Sequence, residues 1–287
     1  MRRRWRLAAL GLAALLLLAA CQRPRPQPTA LLFILAGQSN MSGRGELGRL
    51  PPGFPANRGR INNFTNAYTW REAVEPLDDP RGQKDACSLD PAPGVGPGLA
   101  FAQRLSQLMP SVRLGLIPCA VEGSSLAQWA PSRRGDALYG SSLRRAREAS
   151  RRGRVAGILF YQGESDAFSR QAAESWPRRF AALVAAWRRD LGDPGLPVVF
   201  CQLGALSPKL RSQPGFRYWE LLKKKQAAIR IPGVAMVRTD DLARKPDGIH
   251  LSTPGQMILG RRLAQAMHRL LTRRPSLAGP AAARRAQ

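Results

Sequence analysis

The sequence predicts an α/β domain built on a mostly parallel sheet, and three observations carry that reading. Short apolar runs alternate with amphipathic stretches along the chain. The runs are four to eight residues long and apolar without strict alternation, as strands covered on both faces are. The stretches between them carry helical spacing and helix punctuation, and strands alternating with helices give a parallel sheet with helices packed on it.

The elements follow in order. Five runs are expected as strands: Leu31–Ala36, Val112–Pro118, Val155–Tyr161, Pro197–Leu203 and Val234–Thr239. The stretch from Pro97 to Met109 repeats Leu99, Phe101, Ala102, Leu105 and Leu108 at helical spacing, with a proline at its start and Pro110 just after it. A second helix is expected from Asp136 to Arg152, stopped at Gly153. A third, Gln171–Leu191, sets Trp176, Phe180, Leu183, Val184 and Trp187 on one side and ends at Gly192. Phe216–Ile229 and Pro254–Leu271 complete the set. The segment from Gly43 to Gly96, rich in Pro, Gly and Asn, is expected as loop wrapping the domain edge. At 287 residues the chain is long enough for a substantial core.

The ends stand apart from this domain. Residues 1–20 open with Met-Arg-Arg-Arg-Trp-Arg and continue as an apolar run to Ala20, the pattern of a secretion signal. The run is too short for a comfortable membrane span. Leu18-Ala19-Ala20-Cys21 resembles the bacterial lipobox, which implies cleavage before Cys21, an acyl anchor on that cysteine, and a lipoprotein of the cell envelope, in the periplasm or at the cell surface. Residues 21–29, Pro-rich and polar, read as a tether. The domain proper is expected over 30–272, and 273–287 as a disordered tail.

The formal net charge is +26, and loss of Arg2, Arg3, Arg4 and Arg6 with the signal leaves +22. The excess is mostly Arg, in pairs scattered over the expected helices (Arg144-Arg145, Arg178-Arg179, Arg188-Arg189, Arg261-Arg262), without the aromatic interleaving that stacks bases. A nucleic-acid partner is therefore not expected. Cys87, Cys119 and Cys201 have no CxxC spacing and only two histidines accompany them, so no metal site is expected. Export permits a disulfide, but three thiols leave one unpaired.

Chemistry is sought where ligands bind in open parallel sheets, outside the carboxyl ends of the strands. There the sequence places Gly37-Gln38-Ser39-Asn40-Met41, then Ala120-Val121-Glu122-Gly123-Ser124-Ser125, then Gln162-Gly163-Glu164-Ser165-Asp166, and finally Asp247-Gly248-Ile249-His250. All four clusters are expected along one edge. Ester hydrolysis needs a nucleophile, a base for its proton and donors for the oxyanion. Ser39 follows a strand immediately, and His250 sits in a glycine-containing loop where a base can be aimed, whereas His268 lies within the last helix. Asp247, three residues before His250, is spaced to hold the imidazole in the right tautomer. Glu164 is the alternative acid.

These blocks, in this order and together with Trp129, resemble the SGNH (GDSL-like) hydrolase superfamily. More closely they resemble its sialate O-acetylesterase and carbohydrate esterase family six branch, whose GQSN and QGES blocks match Gly37–Asn40 and Gln162–Ser165. The resemblance covers about residues 31–271 and implies a three-layer, flavodoxin-like α/β/α fold with a central five-stranded sheet. It implies a cofactor-free serine esterase that removes O-acetyl groups from a sialic acid or a xylan-type polysaccharide through an acetyl-enzyme. The backbone N–H groups of Ser39 and Gly123 and the Gln162 amide would be the oxyanion donors, Gln162 standing where the superfamily has an asparagine. Gln38, Asn40 and Trp129 are expected to touch substrate. Two other readings keep the fold: a surface glycan-binding protein without turnover, and a lipase or thioesterase.

Overall fold

Each of the five apolar runs forms a strand, and two further strands come from the segment expected to be loop. The computed structural model describes residues 30–274 apart from 56–58, 89 and 91. The expected signal, Cys21, the tether and all but the first two residues of the tail lie outside the described residues.

The strands are β1 (Ala30–Gly37), β2 (Ile61–Phe64), β3 (Trp70–Glu72), β4 (Leu114–Pro118), β5 (Gly153–Tyr161), β6 (Val198–Cys201) and β7 (Val234–Val237). They form one sheet in the order β3-β2-β4-β1-β5-β6-β7. Every pairing is parallel except β2 with β3 at the edge. The sheet thus has seven strands where five were expected. Ile-Asn-Asn-Phe and Trp-Arg-Glu are too short and polar to register as buried runs. β2 is held by pairing with β4, and Asn63 finds its partner in the carbonyl of Leu77, 2.9 Å away.

The helices are α1 (Ser39–Ser42), α2 (Gly98–Leu108), α3 (Leu138–Ala149), α4 (Arg170–Asp190), α5 (Pro208–Arg211), α6 (Trp219–Ala227) and α7 (Thr253–Thr272). α2 and α7 pack together, so closely that a Cβ on Gly260 would lie 2.4 Å from the Pro97 carbonyl. α4 lays Trp176 and Phe180 against Phe200, with ring centroids 5.9 and 4.9 Å apart. Within this α/β arrangement the order β4-β1-β5-β6-β7 reverses direction beside β1, and the crevice beyond the carboxyl ends at such a reversal is where ligands bind.

The long segment before α2 is pinned by one arginine of the scattered pairs. Arg145, fully buried, donates to both carboxylate oxygens of Asp85 at 2.8 Å, to the carbonyls of Pro118 (2.6 Å) and Cys87 (3.1 Å), and to Ser88 Oγ (3.1 Å). A buried guanidinium is tolerated only when its donors are met in this way. Cys87, Cys119 and Cys201 are buried free thiols.

The same segment buries the carboxyl group of Asp78. Burial pushes its pKa up to about 7, and the neighbouring Ser88, Arg145 and Asn66 only partly oppose that. An acid whose pKa is higher in the folded chain keeps its proton there after the unfolded chain has lost it. Stability is then withdrawn as pH rises from the unfolded value to the folded one. Asp78→Asn is therefore expected to gain stability over the parent chain as pH climbs from about 4 to about 7, by on the order of 3 kcal/mol. Urea unfolding of both proteins across that range measures it, and a difference independent of pH would show the carboxyl ionised in the fold.

Candidate active site

Ser39 is the first residue of α1, one residue beyond the peptide that leaves β1. The bend is made at Gly37, whose φ is +126° and where a Cβ would fall 2.0 Å from the Tyr161 carbonyl. Only glycine allows β1 and β5 to approach so closely just before the serine. As the first residue of a helix, Ser39 has a backbone N–H with no intrahelical acceptor.

The loop before α7 brings His250 to it. His250 Nε2 is 3.0 Å from Ser39 Oγ, and His250 Nδ1 is 2.9 Å from Asp247 Oδ2. Asp247 is held by its own loop, because Oδ1 accepts the N–H groups of Ile249 (2.8 Å) and His250 (2.9 Å). Partial burial opposes ionisation of Asp247, but the bonds from the His250 ring and these N–H groups outweigh it and hold the carboxyl below its ordinary value.

Glu164 does not touch the imidazole. Its Oε1 accepts from Asn40 Nδ2 at 2.9 Å, and the Gln38 amide nitrogen reaches Oε2 at 3.1 Å. Burial raises its pKa, an effect the Asn40 bond partly offsets. Asn40 in turn grips both neighbours of His250: its Oδ1 accepts the Leu251 N–H (2.9 Å) and its Nδ2 donates to the Ile249 carbonyl (3.3 Å). Glu164 thus fixes Asn40, and Asn40 fixes the histidine loop against the serine turn.

Expectations for four individual residues are corrected. Gln162 is fully buried, and its Nε2 donates to the Ser124 carbonyl (3.2 Å) and to the Asp166 carboxylate while Trp176 Nε1 donates to its Oε1 at 2.9 Å. With both amide hydrogens engaged, it has none for an oxyanion. Trp129 is also fully buried, packed near Phe160 and Trp187 with its Nε1 donating to Ser124 Oγ at 3.0 Å, so it offers no surface to a sugar. Gln38 and Asn40 are buried and spent on Glu164 and the histidine loop instead of substrate. Gly123, by contrast, is exposed with φ +64°, and among the described residues no acceptor takes its N–H or that of Ser39.

Sequence reasoning did not assign roles to Asp166, Ser42 and Asp90. Asp166 Oδ2 accepts the Leu126 N–H at 2.8 Å and so holds the Gly123 loop. Ser42 Oγ donates to the buried Asp90 at 2.7 Å, which also receives Arg44. Asp166 stood in a block already singled out; nothing in the sequence pairs Ser42 with Asp90, 48 residues away. A cavity of about 710 Å³ lies elsewhere, at the amino ends of β1, β4 and β5 between Trp70, Arg113 and Arg152, away from these polar loops.

Ser39, His250 and Asp247 thus form a hydrogen-bonded chain at the carboxyl edge of a parallel α/β sheet. Comparison with known proteins supplies the family. Residues 29–269 match the family described as carbohydrate esterase, sialic acid-specific acetylesterase, and the chain belongs to it. It is 32% identical over 256 residues to a protein of Arabidopsis thaliana described as a "probable carbohydrate esterase", covering 84% of this chain and 91% of that one. A solved Arabidopsis thaliana structure superimposes with a TM-score of 0.73 at 31% identity, over 84% of this chain and 99% of that one. The fold is shared at lower identity with NanS (18%, TM-score 0.62, 86% of this chain and 99% of that one). It is shared too with a carbohydrate acetylesterase from Xanthomonas citri (21%, TM-score 0.62, 84% of this chain but 56% of that one). The chain is an esterase of the carbohydrate acetylesterase family.

Proposed function

We propose that this esterase removes O-acetyl groups from a carbohydrate by a serine mechanism in which Ser39 is the nucleophile, His250 the general base and Asp247 the residue that orients it. The observation that carries the proposal is the unbroken chain Ser39 Oγ–His250 Nε2 and His250 Nδ1–Asp247 Oδ2, at 3.0 and 2.9 Å. With Nδ1–H donated to Asp247, Nε2 is left with the lone pair that accepts the serine proton. Ser39 Oγ then attacks the acetyl carbonyl carbon. The oxyanion forms beside the N–H groups of Ser39 and Gly123, each such donor contributing about 3 kcal/mol. The protonated Nε2 gives its proton to the departing sugar oxygen, leaving acetyl-Ser39. A water, deprotonated by the same nitrogen, releases acetate and restores the serine.

Acetate release measured over acetylated xylan, O-acetylated sialic acids and acetylated peptidoglycan tests the substrate class, and rapid quenching tests the intermediate. The expected results are turnover of at least one sugar ester and a Ser39 peptide heavier by one acetyl group. Retention of the acetylated sugars without acetate release would instead make the protein a binder. For the leader we further propose acylation at Cys21, so that Cys21→Ser shifts the protein out of the membrane fraction.

A further inference from the structure

Among the described residues Phe168 is the most exposed large apolar side chain, at 55%. A single exposed apolar residue is unremarkable by itself, but the position of this one is not. It closes the one-turn helix Ser165–Phe168, which starts immediately after Glu164 at the carboxyl end of the β5 loop. Ser165 Oγ donates to the Gly123 carbonyl at 2.8 Å, so the turn is fastened to the loop carrying the second oxyanion donor.

On its other side Phe168 meets Phe216, with ring centroids 5.7 Å apart and planes at 59°. Phe216 rests edge-on against Trp219 (5.7 Å, 72°), whose Nε1 is anchored on the Gly204 carbonyl at 2.7 Å. The Tyr218 N–H ties this segment back to the Ala167 carbonyl at 3.2 Å. The same segment runs through α5 to the histidine loop, where a Cβ on Gly248 would lie 2.9 Å from Leu210 Cδ1. Phe168 therefore stands three residues from a bond to the Gly123 loop, and Phe216 stands on a segment whose Leu210 side chain lies beside Gly248 of the histidine loop, with Trp219 packed against Phe216.

We propose that the exposed ring of Phe168, braced by Phe216, is the platform on which the sugar ring of the substrate stacks while its acetyl group is presented to Ser39. The inference rests on the carbohydrate esterase reading of the site. The C–H-rich face of a pyranose is matched to the electron-rich face of an aromatic ring. A small aryl acetate has no sugar ring to place there, so the platform separates the two kinds of ester.

The test compares kcat/KM for acetylated xylobiose and an O-acetylated sialic acid with that for p-nitrophenyl acetate, in the parent enzyme and in Phe168→Ala and Phe168→Trp. The expected result is a fall of roughly tenfold in the sugar-to-aryl ratio for Phe168→Ala, carried by KM, and its restoration in Phe168→Trp. An unchanged ratio, or an equal loss on both kinds of ester, overturns the platform. A parent enzyme that cleaves the aryl ester but neither sugar overturns the carbohydrate reading and the platform with it. That outcome is distinct, because it appears before any substitution is made.

Discussion

Ser39→Ala is expected to reduce ester turnover by about 10⁵- to 10⁶-fold in kcat, and His250→Ala by a similar factor. The double variant is expected to be little worse than either single one. Non-additivity follows from the geometry: Oγ and Nε2, 3.0 Å apart, act on one proton, so removing either partner removes the same step. The fold is expected to survive. Ser39 makes no side-chain bond except that to His250, and α1 is held by backbone bonds and by Ser42 on Asp90. Thermal unfolding and kcat for p-nitrophenyl acetate and an acetylated sugar check both halves. Ser39→Ala turning over at the parent rate would remove the serine mechanism altogether.

How much of this was legible in the sequence depends on the range over which each feature is determined. β1, β5 and the long helices were readable because local composition decides them: Leu31 to Ala36 is apolar throughout, and α4 repeats its aromatic residues at helical spacing. β2 and β3 were not, because Ile-Asn-Asn-Phe becomes a strand only by lying beside β4, and the Asn63 amide nitrogen finds its acceptor in the Leu77 carbonyl, 14 residues away. The convergence of four loops was readable from topology alone, since parallel strands bring their carboxyl ends to one edge. What spacing could not give was the direction of each side chain. Trp129 and Gln162 lie near the right loops but turn inward, Trp129 into an aromatic cluster and Gln162 onto Asp166 and Trp176. Asn40 is expected from sequence to touch substrate, yet its bonds to Glu164 and Leu251, 124 and 211 residues away, belong to the tertiary fold.

The same distinction bears on the proposed choice between the two acids, and it yields the second large effect. Asp247→Asn is expected to lower kcat by about 10⁴-fold with the structure intact. The amide oxygen can still accept the N–H groups of Ile249 and His250, so the loop keeps its shape. The amide nitrogen then occupies the place of Oδ2 and presents hydrogens to Nδ1. Nδ1 must accept, the ring proton moves to Nε2, and Nε2 no longer has a lone pair for Ser39. Glu164→Gln is expected to cost less than about tenfold, because its amide oxygen still accepts from Asn40 and the brace on the histidine loop is kept. Glu164→Ala removes the acceptor that holds Asn40 and is expected to fall between the two, since the histidine loop then loses its brace while Asp247 remains on Nδ1. Steady-state kinetics on the three variants separates orienting the imidazole from bracing its loop. Near-parent activity in Asp247→Asn together with loss in Glu164→Gln would reverse the assignment and make Glu164 the acid that governs His250.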